Sequence, residues 1–196
     1  MSPSDSTGAR PAHDVELCGG MRAPAHLRVR RTRHRERRSV GAMTVTAQTV
    51  TVFADAPPAV LFEALTRPAV HAATDGSGML RGVSEGTPDT ITGVGQIFGM
   101  EMTAEDGREY SVDNHVTVFE PDTRLAWLPA GRGKPPVGVE WSWEFTPEDS
   151  GTLIAVTCDW SRVRDEAYLA RFTLPRVSAE KVRATVDALL ELTARG

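Results

Sequence analysis

Val139-Glu140-Trp141-Ser142-Trp143-Glu144-Phe145-Thr146 alternates without a break, placing Val139, Trp141, Trp143 and Phe145 on one side of an extended chain and Glu140, Ser142, Glu144 and Thr146 on the other. One apolar and one polar face describe an antiparallel strand covered on one side only, with Glu140 and Glu144 on a solvated face. A tight turn over residues 149–151 returns the chain into residues 152–160, where Ile154, Val156, Cys158 and Trp160 share a face. Upstream, a Gly/Pro-rich loop over residues 129–136 precedes this strand, and a turn at Pro121-Asp122 leads to Leu125 and Trp127.

The same period runs further back. Residues 109–119 put Tyr110, Val112, Asn114, Val116 and Val118 on a buried face and Ser111, Asp113, His115 and Thr117 on the other. Asp106-Gly107 marks a hairpin, preceded by a strand with Val94, Phe98, Met100 and Met102 on one face and Ile97, Gly99 and Glu101 on the other. Gln96 falls on the Phe98 face at the strand start, a rim or solvent position. Residues 44–53, rich in Val and Thr, predict a first strand. Asp55 as N-cap, Pro57 and Pro58 in the first turn, and Val60, Leu61, Ala64 and Leu65 at helical spacing predict a short helix that Pro68 ends. Residues 74–86 read as a loop and a short strand. After a polar, Arg-rich connection, Ser178 caps a last helix carrying Val182, Val186, Leu189 and Thr193 on one stripe. Helices at the ends of a run of hairpins predict an α+β domain in which the last helix covers one face of the sheet.

Charge divides the chain. Residues 1–42 hold nine Arg against four acids, and since the whole chain carries 22 basic and 26 acidic residues, residues 43–196 hold 13 and 22, a net −9. Too few large apolar side chains accompany the Arg28 to Arg38 cluster to offset the entropy of ordering it. Residues 1–42 are therefore read as a disordered extension, or as sequence upstream of a translation start at Met43, and residues 43–196 as the ligand-binding domain. A tail of this charge also suits a nucleic-acid or acidic-surface contact, the only route to a nucleic-acid partner.

No run of 18 apolar residues and no apolar leader segment occurs, which excludes a spanning helix, argues against a secretory signal and points to the cytoplasm. Two cysteines build neither a disulfide framework nor a CxxC metal site. GxxxxGK[ST], GxSxG and HExxH are absent, and no metal or cofactor is expected.

In their order and spacing, several strings resemble the SRPBCC superfamily of START and polyketide cyclase/dehydrase-like proteins, in a bacterial branch of mostly unassigned activity. They are VFADAPPAVLFEAL, HAATDGSG from His71 to Gly78, DNHVTVFEP followed by LAW, WSWEFTPEDSGT, and CDWS from Cys158 to Ser161. The resemblance spans residues 43–195. It implies a helix-grip fold, a curved antiparallel sheet wrapped around a long C-terminal helix with short helices after the first strand, and a cavity between them for a hydrophobic ligand.

On that expectation Phe98, Met100, Met102, Asn114, Trp127, Trp141, Trp143 and Trp160 are the ligand-binding candidates, bulky adaptable groups around one amide. His71, Asp75 and Asn114 are the catalytic candidates, the first two as an acid/base pair and the third as a carbonyl-polarising amide. Carriage of a small apolar, polyketide-, aromatic- or lipid-like ligand is the first expectation. A cyclase or dehydrase using those polar groups is the alternative, and an interaction module built on the basic tail is the third. The chain is expected to be a monomer or homodimer.

Overall fold

The computed structural model describes residues 45–195; the expectations placed on residues 1–42 lie outside the described residues. Seven antiparallel strands form one sheet in the order β1-β7-β6-β5-β4-β3-β2. They are β1 (Ala47–Ala54), β2 (Leu80–Val83), β3 (Ile97–Thr103), β4 (Glu109–Glu120), β5 (Arg124–Gly131), β6 (Glu140–Glu148) and β7 (Gly151–Asp159). The helices are α1 (Pro58–Leu65), α2 (Pro68–Ala73), α3 (Glu166–Arg171) and α4 (Ala179–Thr193). Among the described residues no helix is long and apolar enough to cross a membrane.

β6 has the face predicted for it. Trp143 and Phe145 are buried and pair directly with Val156 and Ile154 of β7. Leu61, Phe62 and Leu65 of α1 and Val182, Val186 and Leu189 of α4 belong to the same core cluster, so the inner face of the sheet closes over the helices. Each such side chain removed from water stabilises the fold by roughly 1.5–3 kcal/mol. Ser178 is the N-cap of α4, its hydroxyl accepting from Lys181 N at 3.4 Å. Two further bonds seat that helix. Gln48 Nε2 donates to Val177 O at 3.1 Å, and Gly76 N donates to the Thr185 hydroxyl at 3.0 Å.

Four local expectations change. Pro68 does not end the helical region but opens α2, because at the first helical position its missing N–H would have had no partner and its fixed φ suits the turn. Asp55 is not the cap of α1; Pro57 occupies that position with no side-chain bond, and its carbonyl accepts from Val60 N and Leu61 N. In β4 the register shifts between Val116 and Val118, which face Trp127 and Ala126 in turn. That bulge reverses the alternation, so Phe119 reaches the core, where its ring meets Phe62 edge-on at 5.4 Å. The Arg-rich connection contains α3, whose N-cap Asp165 accepts from Tyr168 N at 3.0 Å.

The outer face of β6 is also less solvated than its composition suggests. Ser142 is buried, and the Glu140 carboxylate is only 14% exposed, 2.8 Å from the Arg162 guanidinium and 3.2 Å from the Thr117 hydroxyl. Glu144 remains half-exposed beside Arg124.

Candidate functional site

α2 carries the most informative group. Pro68 starts this single turn and a half, and Thr74 closes it by donating its hydroxyl to Val70 O at 2.8 Å. The turn sets His71 against the inner face of the sheet, where its ring lies 5.3 Å from the Phe98 ring and 5.2 Å from Trp127, themselves 5.6 Å apart. The imidazole is thus the third member of an aromatic triangle. Its Nε2–H donates to Leu65 O at 2.7 Å, which fixes the tautomer and leaves Nδ1 with a lone pair. Burial pushes its pKa down to about 4, opposed by the bond to Leu65. At neutral pH His71 is an uncharged hydrogen-bonding group in apolar surroundings.

Asn114 stands directly across from Phe98 on β3 and from Pro129 on β5. It is buried, and its Nδ2 donates to Phe98 O at 3.2 Å. Among the described residues no donor reaches its Oδ1. The amide therefore braces the strand carrying one triangle member and retains an acceptor of its own. Beside it the sheet divides: β5 pairs with β6 only from Arg124 to Trp127, ending at Trp127 opposite Trp141.

The structure brings His71, Phe98, Asn114 and Trp127 together, with Trp141 next to Trp127 across the ladder. Met100 is fully buried beside Phe98, and Met102 is half-buried at the β2 edge, opposite Leu80. Trp143 stacks on Phe145 at 6.4 Å in the central core. Trp160 lies in a second small cluster with Val139, Cys158 and Val163, which Trp141 joins to the first.

His71 and Asp75 are not joined. The Asp75 carboxylate accepts from Ser77 N at 3.0 Å, from the Ser77 hydroxyl, Met79 N and Leu80 N each at 2.9 Å, and so ties the Gly-rich loop into β2. Gln96 has a comparable duty, its Oε1 accepting from Thr92 N and Gly93 N. His115, opposite Ile97 and Leu128, alternates away from Asn114, but its Nε2 is buried and has no partner among the described residues. Among the described residues no cluster of His, Cys, Asp or Glu is arranged to hold a metal ion.

Sequence reading misses two residues here. Tyr168, on the unrecognised α3, packs on the Cys158 cluster. Burial pushes its hydroxyl pKa up while the Arg176 charge pulls it down. Tyr110 was readable as inward-facing, but its buried hydroxyl, which has no partner among the described residues, was not. The Cys158 thiol is pushed by burial up to about 12, a packed and unreactive group.

The family model described as "Activator of Hsp90 ATPase homolog 1-like protein" matches residues 55–186. Among solved structures, a protein from Rhodobacter sphaeroides is similar at 20% identity and TM-score 0.55, over 76% of this chain and 93% of that one. A protein from Arthrobacter aurescens is similar at 13% identity and TM-score 0.55, over 77% and 87%. Ara h 8.0201 follows at 15% and 0.50, over 76% and 98%. At these identities the likeness shows the fold alone. No curated protein matches the chain in sequence.

Proposed function

From the premise that this chain belongs to the activator of Hsp90 ATPase homolog 1-like family, within the SRPBCC superfamily and its helix-grip fold, we propose that it binds and carries a small apolar ligand. The ligand lies against the inner face of the sheet, with His71 and Asn114 as its polar contacts. The observation that carries this reading is the neutral His71 imidazole held in ring contact with Phe98 and Trp127. Such a group offers a hydrogen bond to a hydroxyl or amide while its neighbours offer apolar area, the division of labour expected of a site that orients rather than reacts.

Proton transfer is poorly served by the same geometry. A general base works best with a pKa near the operating pH, and His71 lies well below it. Asp75, which would have to fix and charge-stabilise the imidazole, spends both carboxylate oxygens on its own loop. Carriage is therefore favoured over cyclase or dehydrase chemistry.

Titration of the full chain with a neutral apolar ligand such as dodecanol, followed by tryptophan fluorescence, tests the reading. Trp127 and Trp141 line the site, so saturable quenching is expected. Asn114→Leu, which keeps the volume but removes the amide acceptor, is expected to weaken binding of a hydroxylated ligand about tenfold, one good hydrogen bond to a buried group. Absence of saturable quenching, or an unchanged affinity in that variant, would count against the site.

A further inference from the structure

The inner aromatic surface does not stop at β6. Trp127 stands opposite Trp141, Trp141 stands opposite Cys158, and Cys158 packs under Tyr168 of α3. Tyr168 in turn meets the Phe172 ring at 4.8 Å. Phe172 holds two guanidinium groups, with the Cζ atoms of Arg171 and Arg176 at 5.1 and 4.4 Å from its centroid, so that the two charges are no more than about 10 Å apart. Neither arginine is in an ion pair among the described residues, whereas seven other arginines are.

A guanidinium stacked on a ring uses its face and leaves its edge N–H groups free, the geometry that takes a carboxylate. Charge distribution sharpens the point. Residues 43–196 carry a net −9, yet residues 162–176 hold Arg162, Arg164, Arg171 and Arg176 against Asp165 and Glu166, and with Arg162 paired to Glu140 the segment keeps three arginines for two acids. The guanidinium groups of Arg171 and Arg176, neither in an ion pair among the described residues, favour an anion at that place in an otherwise acidic domain.

We propose that the α3 end of this surface reads an acidic head group, and that the ligand is an anionic amphiphile with its carboxylate on Arg171 and Arg176, the Tyr168 hydroxyl beside it, and its apolar body along Trp141 and Trp127. The inference rests on the apolar-ligand reading and names the class of ligand.

The test compares dodecanoate with dodecanol, equal in apolar body and different in head, on the full chain at pH 7.5 and below the concentration at which either aggregates. Dodecanoate is expected to bind about tenfold more tightly, the effect of a charge-assisted hydrogen bond. The double variant Arg171→Gln/Arg176→Gln is expected to lose that preference while its affinity for dodecanol, which also reports that it is folded, stays unchanged. Equal affinities in the parent protein, or a preference that survives the double substitution, would overturn the head-group assignment and leave carriage of apolar ligands standing. Failure of both molecules to bind would overturn both.

Discussion

Replacing Gly76 by valine is expected to lower the stability of the fold by about 3 kcal/mol, the upper range of overpacking costs. A Cβ at this position would lie 2.5 Å from Lys181 O, 2.7 Å from Thr185 N and 2.7 Å from Ala184 Cβ. Two of those atoms are helix backbone and cannot swing aside. The loop would have to part from α4, taking with it the bond from Gly76 N to Thr185. For a domain of this size the loss corresponds to a fall in Tm of roughly 10 °C, read by circular dichroism. Gly82→Ala is the control, since nothing lies within 4 Å of a Cβ there and its φ is ordinary. A Gly76→Val protein as stable as the Gly82→Ala protein would mean that this loop does not seat the C-terminal helix.

Acidification is expected to weaken the fold through His71. The imidazole has a pKa of about 4 in the folded protein against 6.5 unfolded, so between those values the unfolded chain binds a proton that the folded one refuses. Stability is therefore full above pH 6.5 and falls as the pH drops toward 4, by up to about 3 kcal/mol. Glu101, Asp159 and Glu180, whose pKa values are lowered chiefly by hydrogen bonds from Ser111, Ser161 and Ser178, lose their contributions only at lower pH, through their own folded-state values. Urea midpoints at pH 7.5 and 4.5 separate the two windows. His71→Phe keeps a ring between Phe98 and Trp127 and is expected to show a much smaller difference between the two midpoints than the parent. The same difference in both proteins would show that the imidazole is not held neutral in the aromatic triangle.

These two residues also mark where sequence reasoning succeeds and fails. β6, β7 and α4 are legible because one face of each is buried, so Trp143, Phe145, Ile154, Val156 and Val186 recur with the period of their element. The bulge at Val116 and Val118 breaks that period without any glycine or proline to announce it, and the packing of Phe119 on the core goes unread as a result. Pro68 is ambiguous by chemistry, since the same ring that ends one helix starts another.

The site divides along similar lines. Asn114, Phe98 and Trp127 are found by alternation because they lie on strands. His71 attracts notice through Asp75, four residues on, but its true neighbours are Leu65, Phe98 and Trp127, contacts that only the packing of α2 on the sheet creates. Tyr168 and Phe172 escape because α3 is six residues long with no buried stripe to give it a period.

Native mass spectrometry of the protein purified from its own host, compared under gentle and denaturing conditions, tests the central claim most directly. A stoichiometric apolar small molecule is expected to stay bound in the gentle spectrum and to leave when the fold is opened. A stable protein whose gentle spectrum shows only the mass of the chain, and which then takes up neither dodecanoate nor dodecanol, would contradict that claim.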